Sequence, residues 1–285
     1  MSIVRAQVER LWRASRPLTA TGVGMVLVFA ASLAAMAVDP STILGAPTWL
    51  KPAKFAISTG VYALTLAWIF TYFPGRQRLT NIVGWITALV MVLEVAIIDV
   101  QAARGVTSHF NVATALDAAL FAIMGIAILV AWGAAIALTV ALFRQRFADE
   151  AFGWALRMGM LLTVLGQATG GLMTIPTQAQ LVAARTERMT VSGAHTVGAR
   201  DGGPGVPITG WSREHGDLRV PHFVGLHAVQ LLPAIAWLIG PLGSAVRRRR
   251  AVFVASAVYA ALFVMLLAQA LSEQPLLALP IMVAR

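Results

Sequence analysis

The chain contains no cysteine, which removes disulfides, thiolate metal sites and a cysteine nucleophile together. It is also short of charge. Charged residues make up 12% of its 285 positions and apolar residues 58%, and the charged share is about half that of a soluble domain. A water-facing fold of this size would lack the polar surface it needs, so lipid is expected to take the place of water around most of it. Lysine is almost absent, with Lys51 and Lys54 the two lysines among 22 basic residues. The net charge of +10 is scattered in short segments between apolar runs, which is unlike a nucleic-acid footprint, and no nucleic-acid partner is expected. No internal repeat supports an inverted-repeat transporter. There is no Gly-x-Ser-x-Gly elbow, and no alternating ten-residue pattern suggests a barrel.

What is present is a series of long apolar runs. Crossing the hydrocarbon as a helix takes about 20 apolar residues. Seven stretches qualify: 18–38, 55–73, 81–103, 113–142, 153–175, 221–243 and 251–271. They must be helices, because every backbone N–H and C=O in lipid has to find its partner within the segment. The expected fold is therefore all-α, a polytopic membrane helix bundle of about seven spans. It is read as one integral membrane domain over 1–285 with a long loop at about 176–220.

Arginine sets the expected orientation. Arg5, Arg10, Arg13 and Arg16 precede the first span, Arg76 and Arg78 follow the second, Arg144 and Arg146 follow the fourth, and Arg247 to Arg250 follow the sixth. All four clusters fall on one side, which should be cytoplasmic. This puts the N-terminus inside and the C-terminus outside. Ala35-Met36-Ala37 looks like a signal-peptidase site, but the long basic leader and spanning length favour a retained anchor. The long loop holds Asp201-Gly202-Gly203-Pro204-Gly205, which is turn material, and Trp211, suited to an interface. A loop of this length without regular structure is usually functional or disordered. The apolar tail from Pro275 is too short to span and is expected to lie in the interface.

With that topology the polar residues sort by side. All five histidines (His109, His195, His215, His222 and His227) fall on the outer half with Lys51, Lys54, Gln101, Arg104, Asn111, Arg200, Asp201, Asp217 and Arg219. Depth adds a second constraint. Counted at about 1.5 Å per residue, Glu94 lies roughly 13 Å below the outer end of its span, Asp117 and His227 roughly 6–9 Å, and Gln167 and Gln230 roughly 12–13 Å. Ionisable groups inside a membrane normally face the bundle interior or a cavity. These five are read as lining an outward-open pocket, with Glu94, Asp117 and His227 as candidate catalytic residues.

Plainer readings stand beside this one. Glu94 and Asp117 could be paired structural acids, His227 an interhelical hydrogen bond and Asp99 an interface residue. Lys51 and Lys54 read as side chains reaching for headgroups. Gly166-Gln167-Ala168-Thr169-Gly170-Gly171 reads as a close helix contact. His222 and His227 sit five apart, about 140° round a helix, which makes them poor joint ligands of one small ion. Pro221 suits the first turn of its span and places His222 at the water boundary.

The segments Trp49-Leu50-Lys51-Pro52-Ala53-Lys54-Phe55-Ala56, Ser108-His109-Phe110-Asn111 and Gly216-Asp217-Leu218-Arg219-Val220-Pro221-His222-Phe223 resemble segments of uncharacterised bacterial multi-pass membrane proteins. That resemblance implies a bacterial inner-membrane location and carries no activity. Seven-helix membrane amidases of the alkaline ceramidase type also combine histidines, an Asp and a Ser. Their paired histidines fall four apart, and no Ser stands four before His109 here, so the chain is not assigned to them.

The expected function is a membrane-embedded enzyme or redox protein with an outward histidine-rich site acting on a lipid-soluble substrate. The expected cofactor is a transition metal or haem. His109, His195, His222 and His227 are the candidate metal ligands, since neutral imidazole is the commonest such ligand. His109 and His222 are the candidate cofactor-binding residues, and a haem between His109 and His227 is one variant. The alternatives are a proton- or cation-coupled transporter or channel using Glu94, Asp117 and His227, or a sensor or scaffold without chemistry. Membrane lipids are the expected surroundings in every case.

Overall fold

The computed structural model describes residues 3–241 and 243–276. The protein is all-α. Among the described residues seven helices are long and apolar enough to cross a membrane, which fits a multi-pass membrane protein. The spanning helices are α2 (Arg16–Val38), α3 (Leu50–Phe70), α4 (Gln77–Ala103), α5 (Ala115–Arg144), α6 (Glu150–Met173), α8 (Arg219–Leu238) and α9 (Ala245–Leu271). α1 (Ile3–Ala14) precedes them and the short α7 (Gln178–Ala183) lies in the long loop. The chain forms two compact units, Met1–Phe147 and Ala148–Arg285.

In the N-terminal unit, α2 packs along α3, and α4 packs against α3 and α5. One core cluster joins Met25, Ala56 and Val95 with Phe55 at its edge, and a second joins Ile97, Ile98 and Met124. Mid-helix side chains such as Ile126 and Leu129, about two-thirds exposed, present the apolar surface that hydrocarbon accepts. α3 starts at Leu50 rather than near 55 because the preceding chain is pinned. Strands β1 (Thr42–Ile43) and β2 (Ala46–Pro47) pair across Leu44 and Gly45. Both turn residues have positive φ, 50° and 76°, as a tight hairpin turn demands. Asp39 then accepts from the Trp49 indole at 2.7 Å and from the Ser41 amide at 2.9 Å. The Ser41 side chain, together with these two hydrogen bonds, holds its carboxyl below the usual carboxylate range. Lys51 and Pro52 therefore fall in the first turn of α3, where proline's missing N–H is harmless.

In the C-terminal unit, α6, α8 and α9 pack around Ala155, Leu162, Ala228, Leu232, Ala236 and Val252. Apolar burial gives little drive between helices in lipid, so association depends on close approach. Gly166 and Gly225 supply it. A Cβ on Gly166 would come within 2.6 Å of the Gly225 Cα, and one on Gly225 within 2.4 Å of the Gly166 Cα. The glycine-rich stretch of α6 is thus a helix contact, as its composition suggested. Thr163 donates to the Leu226 carbonyl at 3.2 Å, and Tyr259 on α9 to that of Val224 at 2.6 Å.

The long loop has more local structure than its length suggests. Thr177 and Gln180 form a reciprocal capping box at α7, and Gln180 also holds Gly193 in both directions, at 2.9 and 3.0 Å. Strands β3 (Thr196–Val197) and β4 (Gly216–Asp217) pair just ahead of α8. Buried Asp217 accepts from the Ser212 amide at 2.7 Å and from Arg219 Nε and Nη2 at 2.9 and 2.6 Å. This loop segment is therefore latched to the start of α8. The expectation of an interfacial tail falls mainly on 277–285, outside the described residues.

Candidate acid–base site

The N-terminal unit brings three sequence-distant groups together at the end away from its arginine clusters. Lys51 stands in the first turn of α3, Glu94 well inside α4, and His109 in the loop joining α4 to α5. That loop folds back on the unit rather than projecting from it. Ser108, Phe110 and Asn111 are all buried, and Phe110 takes a positive φ of 64° that lets the chain reverse. Asn111 ties the reversal by donating to the Thr107 carbonyl at 3.1 Å and accepting from the Ala113 amide at 3.1 Å.

His109 is thereby set between Lys51 and Glu94. Lys51 Nζ lies 3.1 Å from His109 Nδ1, and His109 Nε2 lies 3.4 Å from Glu94 Oε1. An ammonium can only donate, so Nδ1 accepts and the ring proton sits on Nε2, facing the carboxylate. Ser108 Oγ also approaches Nδ1, at 3.1 Å. Phe55 closes one side, its ring centroid 5.5 Å from that of His109 and 5.7 Å from Lys51 Nζ. Glu94 is only 5% exposed. Its second oxygen, Oε2, has no hydrogen-bond partner among the described residues. A buried polar atom without a partner is costly, and here it is an unfilled acceptor position.

Asp117 is placed differently. It stands in the first turn of α5, where the Thr114 cap fixes it. Thr114 accepts from the Asp117 amide at 3.1 Å and donates to its Oδ2 at 2.6 Å. Asp117 Oδ1 accepts from Gln101 at 2.9 Å and from Arg104 at 2.7 Å, and Arg104 also bonds Gln101. Both carboxylate oxygens are committed. Asp117 therefore anchors the two ends of the loop that carries His109. Asp99 lies half-buried on the same helix as Glu94, and its Oδ1 is buried without a hydrogen bond among the described residues.

The remaining histidines belong to the C-terminal unit, and three of them share one feature. His195 Nδ1 lies 2.8 Å from Asp201 Oδ2, His222 Nδ1 2.7 Å from the Gly166 carbonyl, and His227 Nδ1 2.8 Å from the Phe223 carbonyl. Each partner is an acceptor, so Nδ1 carries a proton, and in the neutral ring Nε2 keeps its lone pair. Burial raises the Asp201 carboxyl, but the side-chain hydrogen bond and charge of His195 and the amides of His195 and Thr196 outweigh it and hold it far below the usual range. His222 looks inward to α6, where Thr169 also touches it at 3.3 Å, rather than standing free at the water boundary. The His215 amide donates to Ser212 in the latch. Gln167 and Gln230 lie half-buried on α6 and α8.

Among the described residues no three His, Asp or Glu side chains converge as a group able to hold a metal ion. The four histidines named as metal ligands divide between the units, His109 in one and His195, His222 and His227 in the other. Lys51 is the site residue that hydropathy reasoning assigned elsewhere, to the headgroups. Its signal was present: one of two lysines in an arginine-rich chain, beside a proline, at the end where His109 falls. Comparisons with protein families, curated proteins and solved structures find no match for this chain, in keeping with its likeness to uncharacterised multi-pass proteins.

Proposed function

We propose that this protein is a membrane-embedded enzyme or redox protein whose outward end exchanges protons with a lipid-soluble substrate. His109 is the acid–base residue, Glu94 its buried partner and Lys51 its link to the surface. The observation that carries this reading is the chain Lys51–His109–Glu94, at 3.1 and 3.4 Å. A proton leaving His109 Nε2 for Glu94 can be replaced at Nδ1 by one from Lys51, so a single tautomer change moves a proton along the chain. The buried, unpartnered Oε2 of Glu94 is the acceptor at the inner end of the relay. Asp117, Arg104 and Gln101 hold the loop in place. Reconstituted protein exposed to a photochemical pH jump should take up a proton at its outer end. That uptake should vanish in Glu94→Gln and slow in His109→Gln and Lys51→Met. Unchanged uptake in all three would overturn the proposal, and sustained proton flux across liposomes would favour the transporter reading instead.

A second reading draws on the fixed Nδ1 protons of His195, His222 and His227. This is the orientation in which a backbone carbonyl or carboxylate prepares imidazole to ligate through Nε2. In this reading an imidazole of the C-terminal unit would ligate a metal or haem through its Nε2. Metal analysis and an absorbance spectrum of the purified protein test it. Stoichiometric metal or a haem band that His222→Ala removes would support it, and retention of full content in both His222→Ala and His227→Ala would end it.

A further inference from the structure

A cavity of about 490 Å³ opens at the arginine end of the C-terminal unit, lined by Asp149, Phe152, Ala236, Trp237, Leu238, Gly240, Pro241 and Arg248. We propose that it binds the phosphate-bearing headgroup of an anionic phospholipid.

Charge is the first argument. α9 opens with Arg247 to Arg250 in succession. Arg248 pairs with Asp149 and Arg249 with Glu150, which leaves Arg247 and Arg250 without an acidic partner among the described residues. The local balance is positive, and basic pockets between membrane helices on the cytoplasmic side suit anionic headgroups. The second argument is a missing partner. Arg248 Nε is buried and makes no hydrogen bond among the described residues, although the side chain lines the cavity. A phosphate oxygen would satisfy it, and guanidinium is well matched to phosphate.

The walls decide between a lipid and a free anion. Phe152, Ala236, Leu238 and Pro241 are apolar, and Trp237 is 75% exposed at the end of α8. Tryptophan favours the headgroup level of a bilayer. Inorganic phosphate has no use for such walls, whereas a phospholipid lays its glycerol and first acyl carbons against them.

The test uses the full chain in nanodiscs, with quenching of Trp237 fluorescence by brominated phosphatidylglycerol or brominated phosphatidylcholine as the readout. The Trp237→Phe protein supplies the background. Phosphatidylglycerol should quench at a lower mole fraction than phosphatidylcholine. Arg247→Gln and Arg248→Gln should each weaken that preference about fivefold. Asp149→Asn provides the opposite sign. Asparagine can still cap α6 by accepting from the Phe152 amide, but it releases Arg248, so phosphatidylglycerol should bind more tightly. Equal quenching by the two lipids, or a preference that none of the three substitutions moves, would overturn the proposal. Loss of the preference on adding millimolar inorganic phosphate would assign the cavity to free phosphate and overturn the lipid assignment.

Discussion

His109 Nε2 stands 3.4 Å from Oε1 of Glu94, so a residue of a connecting loop reaches a carboxylate buried within a membrane helix. The contact exists because the α4–α5 loop turns inward at Phe110 and is stapled at its base by Arg104, Gln101 and Asp117. Lys51 approaches from the other side of the ring and fixes which nitrogen carries the proton.

The tautomer of His109 should therefore depend on Lys51. Nitrogen-15 NMR of the wild type should show the proton on Nε2. In Lys51→Met the ring loses its obligatory donor at Nδ1, and a mixture of tautomers should appear. A pure Nε2–H signal in both proteins would show that Lys51 does not orient the ring.

Asp117→Asn should loosen the loop without removing the chemistry of His109. It replaces the carboxylate that receives Gln101, Arg104 and Thr114 and leaves the Arg104 charge unbalanced. The expected result is a lower Tm and faster proteolysis between Arg104 and Thr114. Wild-type Tm and protease resistance would mean that the network is dispensable.

Gly166→Val and Gly225→Val should each force α6 and α8 apart. The added carbons would meet backbone within 2.6 Å, and overpacking of this kind costs about 1–3 kcal/mol. Reversible unfolding in mixed micelles reads the loss. Stability equal to wild type in both would mean that the helices do not approach as closely as described.

The spans were legible in the sequence because hydropathy alone determines them, and the observed helices lie close to the apolar runs. The start of α3 was less so. Lys51 and Lys54 depress local hydropathy, and it is the Asp39–Trp49 bond and the β1–β2 turn that begin the helix at Leu50. Glu94 and His109 were legible as candidates, being ionisable groups at an unusual depth. Their pairing was not, since it depends on a loop reversal governed by Phe110 and Asn111, which no periodicity reveals. Asp117 read as deep because the span was begun at 113. The Thr114 cap instead makes it a first-turn residue whose oxygens are already engaged.

The His195–Asp201 turn should show a one-sided pH dependence. The Asp201 carboxyl is held below its ordinary value, so its contribution is fully present above the unfolded value of about 3.9. It is lost only as pH falls through the lower folded value. Amide exchange at His195 and Thr196 should stay slow down to about pH 4 and accelerate below it, whereas Asp201→Asn should exchange quickly throughout. Acceleration already near pH 6 in the wild type would contradict the assignment.

In the proposed relay Glu94 and His109 act as one proton-exchanging pair, and infrared difference spectroscopy during a pH titration tests that directly. A carboxyl band that titrates in the wild type and disappears in Glu94→Gln belongs to Glu94. This band should shift in both frequency and midpoint in His109→Gln, and again in Lys51→Met. A Glu94 band that titrates identically in all three backgrounds would contradict the relay.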